Sequence, residues 1–218
     1  NYTFAKEGMV LSYSTSGLKD SINPGIYIKN LKTNSSKQIH ISHEKTKYFK
    51  LNLSNSGDKL AFVKDADSTK TYQRPYELYL WESSQKNSKL ILDMHSSPDG
   101  YKVSPYSDIK FSKNESKLYF GLGLPEIVQD TLLLDEEIVN VEVWTYDEPR
   151  LYSVQEKQIE NDMKKSFQTV YHIKDNKLIQ IATKEFPIAI LSDEGNGDYA
   201  LISNPEPYQL SSQWTALF

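Results

Sequence analysis

Cysteine is absent from the 218 residues, which removes disulfides, thiolate metal sites and thiol nucleophiles together. No stretch approaches the ~18 consecutive apolar residues of a membrane-crossing helix, so no membrane span is expected. Basic residues are not in excess either: 25 Lys and Arg stand against 29 Asp and Glu. A nucleic-acid surface needs a basic patch, so a nucleic-acid partner is not expected. Two catalytic signatures are missing as well, the Gly-x-Ser-x-Gly nucleophile elbow and the His-Glu-x-x-His zinc helix. The four histidines, His40, His43, His95 and His172, fall on strand and turn stretches without the spacing of a metal pair. Neither a metal nor a cofactor is therefore expected. What the chain does have is 15 Tyr and 8 Phe. Aromatic side chains fit pleated, half-buried surfaces, so this composition leans towards strands.

Two short patterns alternate along the chain. The first is a turn followed by a strand, LNLSNSGDKLAFVKD at 51–65 and IKFSKNESKLYFGLG at 109–123. Aligned, they superpose Leu53 on Phe111, Ser54 on Ser112, Lys59 on Lys117, Leu60 on Leu118 and Phe62 on Phe120. Weaker copies are IAILSDEGNGDYALISN at 188–204 and FAKEGMVLSYS at 4–14, the last aligned through Met9. The second pattern is strand, polar turn, strand: 25–41, 77–93 and 169–183, with Tyr27, Tyr79 and Tyr171 sharing one place. These turns are rich in Asn, Lys and Ser; Asn and Ser side chains bond nearby backbone, and Asn tolerates left-handed geometry. Two hairpins per ~50 residues make one four-stranded propeller blade. The expected fold is all-β, a partial β-propeller of three to four blades. They fall at 1–41, 42–95, 105–184 and from 185 onward, with Leu53, Leu60, Phe62, Phe111, Leu118, Phe120, Ala200 and Ile202 inside. A β-sandwich with coincidental turns is the competing architecture.

An insertion at 121–168 breaks the period. Within it, 139–144 reads as a strand and 153–166 as a surface helix, capped by Ser153 with Glu156 three residues on and closed by Lys164 and Lys165. Long insertions in repeat folds often carry function. Two other acidic stretches read as plain turns: DEGNGD at 193–198 lacks the oxygen ligands of a calcium loop, and Asp65 and Asp67 sit in a hairpin connection, solvated.

The stretch Ser54 to Phe62, Ser-x-x-Gly-Asp-Lys-Leu-Ala-Phe, resembles the propeller repeats of TolB-like proteins and of the prolyl oligopeptidase family of serine peptidases. VEVWTYDEPRL at 141–151, Gln155, TVYHIKDNKLIQIA at 169–182 and LSDEGNGDYAL at 191–201 look like the propeller of that family's members from Bacteroidetes-type bacteria. The resemblance implies a propeller of seven or eight blades that gates peptide access to a following α/β-hydrolase domain. These residues contain no such domain, so the fold and the gating role are carried over and no catalytic residue is. The peptide is the expected partner, met through that hydrolase domain. Trp144-Thr145-Tyr146-Asp147-Glu148 resembles the Trp-x-Tyr-Glu-Glu string of dipeptidyl peptidase IV relatives, whose acids hold the substrate's free amino terminus. That likeness implies substrate binding by Trp144, Tyr146, Asp147 and Glu148. Asp147 in place of Glu, and Pro149 after it, depart from the string, and a strand end with solvated acids is the plainer reading. The alternative function is a TolB-like propeller that docks a protein partner in the cell envelope. The first residue is Asn1, not Met, which leaves room for a removed signal peptide, and a periplasmic or extracellular location is expected. Three to four blades would leave edges exposed, so self-association is expected too.

Overall fold

The computed structural model describes residues 1–16, 22–43, 45–66, 69, 71–126, 143, 145 and 147–215, with side chains to 212. The strands form successive antiparallel meanders. Sheet 1 is β1 (Tyr2–Phe4), β2 (Val10–Thr15), β3 (Gly25–Asn30) and β4 (Ser35–Ile41), in that order. Sheet 2 is β5 (Lys47–Leu53), β6 (Lys59–Asp65), β7 (Tyr76–Glu82) and β8 (Lys89–Leu92). In sheet 3 the first strand is broken into β9 (Lys102–Val103) and β10 (Lys110–Phe111), both paired with β11 (Lys117–Gly123). Helix α1 (Tyr152–Met163) precedes β12 (Ser166–His172) and β13 (Lys177–Gln180). Sheet 4 is the hairpin β14 (Ile188–Leu191) and β15 (Ala200–Ser203), followed by α2 (Glu206–Thr215). These meanders, each stacked on the next, are blades of a β-propeller. Sheet 3 starts at Lys102 and not at 105, because its first strand is interrupted and its first piece pairs ahead of the break.

The recurrent Ser and Lys have a local cause. Ser54 Oγ accepts the Lys59 N–H at 3.1 Å while the Ser54 N–H donates to Lys59 O at 2.8 Å, closing the turn between the first two strands. Ser112 and Lys117 repeat both bonds at 3.0 Å. Each turn needs one left-handed residue, Gly57 (φ 84°) in sheet 2 and Glu115 (φ 57°) in sheet 3.

Burial follows the two-residue period of a strand. In sheet 2, Leu60, Phe62, Tyr79 and Trp81 face sheet 1, where Ile26 and Ile39 complete one core. Ala61, Val63, Leu78 and Leu80 face the other way and join Leu118, Phe120 and Leu122 of sheet 3 in a second core. A blade buried on both faces reads as a near-continuous apolar run, which LAFV at 60–63 is.

Several expectations are corrected. Ala200 and Ile202 are exposed, because sheet 4 has two strands and meets sheet 3 mainly through β14 and the 193–198 turn. Phe111 is partly buried against the second core. The register places Leu11, not Met9, at the position of Leu60: Phe4 pairs Leu11 as Leu53 pairs Leu60. Tyr171 pairs Leu118 and so occupies the place of Trp81, not that of Tyr79. Asp65 is buried at 4 % exposure and held by Arg74, with the Nε–Oδ2 bond at 3.0 Å, rather than solvated. The cause is that β6 runs on through Asp65 and the chain folds back over it, Ala66 N–H bonding Pro75 O. Asp67 and most of the expected strand at 139–144 lie outside the described residues.

Candidate functional site

The strand order sorts the connections onto two sides of each blade. Turns joining first to second and third to fourth strands lie on one side. The connections from second to third strands leave and re-enter the sheets on the other, as do the links between blades. The insertion that carries Asp147 and Glu148 therefore belongs to this second, loop-bearing side.

Trp144 and Tyr146 lie outside the described residues. Asp147 and Glu148 are exposed, in a turn closed by the Glu148 N–H to Thr145 O at 3.4 Å. Hydrogen bonds from the Thr145 side chain and from its own backbone hold the Asp147 carboxyl below the usual carboxylate value, so it is ionised at neutral pH. Glu148 Oε2 accepts a 3.4 Å bond from Gln155 Nε2, a neutral partner. The nearest cation in sequence, Arg150, is committed elsewhere: its guanidinium bonds Gln158 Oε1 at 2.9 Å and Asp162 Oδ2 at 2.7 Å. Arg150 thus staples the turn to α1 and leaves the two carboxylates un-neutralised among the described residues.

Helix α1 differs from its sequence expectation at both ends: it stops at Met163 with Lys164 as its C-cap, because Ser166 already belongs to β12. It begins at Tyr152, Leu151 is the N-cap without a side-chain cap bond, and Ser153 lies inside the first turn. Gln155 reaches back to Arg150 O at 2.8 Å, which ties the entry to the helix in place of a capping box. No residue of α1 is buried, in keeping with its thin apolar content, and Lys164 pairs with Glu160 one turn earlier.

Sequence reasoning missed a second cluster on the loop-bearing side. Lys102, nearly buried, is paired with Glu126, and its Nζ lies 5.4 Å from the centre of the Tyr76 ring. Burial, aided by Tyr106 and Asp65, pushes the Tyr76 hydroxyl up to about 12. The Arg74–Asp65 pair lies within sheet 2 and the Lys102–Glu126 pair within sheet 3, and of these contacts it is Lys102 against the Tyr76 ring that joins the two sheets. The two ion pairs span 9 and 24 residues, and no short motif marks them.

On the opposite side a cleft of ≈ 600 Å³ opens between sheets 2 and 3, lined by Lys59, Lys89, Glu115, Tyr171 and Asn176 among others. Its floor is a clasp. Glu115 accepts the Ser56 N–H and Oγ–H, each at 2.7 Å, with Lys59 Nζ at 3.7 Å. Burial alone would raise this carboxyl, but those bonds and the Lys59 charge prevail and hold it low. Lys117 repeats the clasp one blade on, donating to Asn196 O, Gly197 O and Asp198 Oδ1 at 2.8–3.0 Å. The acidic glycine turn is thus a turn, as expected, and it is the seat of a lysine. Among the described residues no three His, Asp or Glu side chains gather as metal ligands.

No protein-family model and no curated protein matches the chain. Among solved structures it is similar to an oligogalacturonate lyase in complex with manganese, at 10 % identity and TM-score 0.42 over 82 % of this chain and 34 % of that one. It is also similar to a structure from an analysis of two prolyl endopeptidases, at 10 % identity and TM-score 0.46 over 93 % and 25 %. A third is an acylaminoacyl peptidase of Pyrococcus horikoshii, at 15 % identity and TM-score 0.45 over 94 % and 27 %. The chain spans between a quarter and about a third of the length of these structures.

Proposed function

We propose that this chain is a non-catalytic propeller part of a serine peptidase similar to the prolyl oligopeptidase family. Its loop-bearing side meets the peptide, and Asp147 and Glu148 receive a free amino terminus. The observation that carries the reading is the pair of exposed carboxylates in one short turn, with Asp147 held ionised and the neighbouring Arg150 turned to α1. An ammonium placed between two such groups gains charge-assisted hydrogen bonds without first displacing a resident cation. The resemblance of 54–62 and 141–201 to peptidase propellers supports the peptide as the ligand class. Gating follows as a role for the side of the third blade where its longest second-to-third connection begins and ends. The cell envelope or exterior is the matching compartment.

The test is peptide binding by calorimetry. A short peptide with a free amine should bind more tightly than its acetylated twin. Asp147→Ala with Glu148→Ala should abolish that preference, a loss of roughly tenfold in affinity for the free amine. Equal affinity for both peptides in the wild-type chain overturns the amino-terminus reading. Binding to folded protein partners that ignores both changes would favour a partner-docking propeller instead.

A further inference from the structure

The internal repeat allows two junctions between blades to be compared place by place. Where sheets 1 and 2 meet, Trp81 fills the turn-bearing end and is only 4 % exposed. Its Nε1–H donates to Gln85 O at 3.1 Å. Lys37 Nζ, 5.9 Å from the centre of the Trp81 ring, donates to the same oxygen at 3.0 Å. The Ser88 N–H bonds Ile39 O at 2.8 Å and ties the two sheets together there. Where sheets 2 and 3 meet, register puts Tyr171 in the place of Trp81, since Leu60 pairs Trp81 as Leu118 pairs Tyr171. It puts Lys89 in the place of Lys37, since Ile28 pairs Lys37 as Leu80 pairs Lys89. A phenol is smaller than an indole, and this second junction holds the open cleft of ≈ 600 Å³.

The cleft offers donors. Asn176 Oδ1 already accepts the Tyr171 O–H at 2.7 Å and Lys89 Nζ at 2.9 Å. Asn114 Oδ1 already accepts the Ser116 N–H and the hydroxyls of Ser116 and Ser112, at 2.7–3.1 Å. What each asparagine has left for a ligand is its NH2 group. Lys89 and Lys174 are exposed on the rim and pair with no carboxylate among the described residues, whereas Lys59 is engaged with Glu115 on the floor. Glu82 is the other carboxylate of the lining, and it disfavours a ligand with a second negative charge. Leu80, Ile91 and Ile173 supply an apolar wall, which an inorganic ion would leave unused.

We propose that this cleft is a binding site for a small organic monocarboxylate. Its carboxylate lies among Lys89, Lys174 and Asn176, and its carbon body lies against Leu80, Ile91 and Ile173. A carboxylate only accepts hydrogen bonds, so it matches a rim whose unspent groups are donors. An apolar wall with a few placed polar groups is the usual form of a small-molecule site. The cleft is on the turn-bearing side, away from Asp147 and Glu148, so it does not rest on the amino-terminus reading.

The test is an NMR titration of the isotope-labelled chain with hexanoate, its uncharged twin hexanamide, and inorganic phosphate. Hexanoate should shift the backbone amides of Lys89, Asn114 and Asn176 and bind about tenfold more tightly than hexanamide. Phosphate should bind more weakly than hexanoate. Lys89→Gln with Lys174→Gln should erase the preference for hexanoate. Asn176→Asp keeps the oxygen that Tyr171 and Lys89 use and suits the left-handed backbone there (φ 52°), but it replaces the NH2 donor with an anion. It should weaken hexanoate about tenfold. Tyr171→Trp copies the first junction and should close the cleft to both organic ligands. If its circular dichroism departs from wild type, Asn176→Asp and the lysine pair decide alone. Equal affinity for hexanoate and hexanamide in the wild-type chain overturns the proposal. So does hexanoate binding that ignores Asn176→Asp and the lysine changes, or phosphate binding as tight as that of hexanoate.

Discussion

Two stacked aromatic pairs, Phe62–Tyr79 and Tyr13–Tyr27, have nearly the same geometry and opposite surroundings. The first lies between two sheets with Phe62 fully buried, and the second lies on a face that nothing described covers. Local strand pairing therefore sets the stack, and the neighbouring blade decides what it is worth. The same division runs through the molecule. Sheet 2 is covered on both faces and holds two cores together, whereas β15 is exposed along its whole length. A repeat fold stabilises itself through nearest-neighbour contacts, so its middle should hold firm when its ends do not.

The largest effect should come from removing one member of the covered pair. Phe62→Ala should cost about 3–5 kcal/mol, the usual range for a buried ring replaced by a cavity. Tyr13→Ala, measured in urea in the same way, should cost about 1 kcal/mol or less. Similar losses at the two sites would mean that the stacks, and not the covering blades, carry the stability.

The clasps offer a second, smaller contrast. Glu115 takes two 2.7 Å bonds from Ser56 in a half-buried setting. Glu194 meets Lys113 at 3.1 Å with both side chains about two-thirds exposed. Glu115→Ala leaves the Ser56 donors without their acceptor and should cost about 1–3 kcal/mol. Glu194→Ala should cost about 0.5 kcal/mol or less, since solvent screens the pair. Urea midpoints measured side by side check the ranking, and a Glu194 loss as large as that of Glu115 would break it.

Much of this architecture could be read from residues, and the misses share a cause. Ser54 with Lys59 and Ser112 with Lys117 mark the turns because both turns use the same backbone bonds. The Tyr171 alignment went wrong by two residues, and a shift of two keeps a strand residue on the same face, so the apolar pattern could not expose it. Ala200 and Ile202 look like core residues because periodicity reports which face a residue is on and not whether anything covers it. Glu115 stands where the aligned turn has Gly57, and nothing local marks it, because its partner Ser56 belongs to another blade, 59 positions away. Of the candidate site, the acids Asp147 and Glu148 were legible as a motif. The Arg150 staple that leaves them free was not, since it depends on where α1 begins.

The smallest and most selective contrast is in pH. His40 lies where sheets 1 and 2 meet, its ring 4.6 Å from Tyr79, 5.2 Å from Phe62 and 5.9 Å from Tyr48. Nδ1 is 2.8 Å from Ser88 Oγ, and Nε2 is buried without a partner. Burial, with the nearby Lys64 charge, lowers its pKa from 6.5 to about 4. The unfolded chain thus takes up a proton near pH 6.5 that the folded chain refuses until about 4. Stability from this site is complete above pH 6.5 and falls as pH drops through that window. The ring is only part-buried, so screening should hold the loss to about 1 kcal/mol. Between pH 6.5 and 5 the effect is nearly isolated, because Asp93, Asp108 and Glu115, held low, lose their share only near and below ordinary carboxylate values. His40→Phe keeps a ring against Phe62 and Tyr79 and removes the proton site. Its urea midpoint should be flat from pH 7 to 5 where that of the wild type declines. A wild-type midpoint that is flat over the same range would mean that His40 carries its proton, or meets water, at the junction of the two sheets.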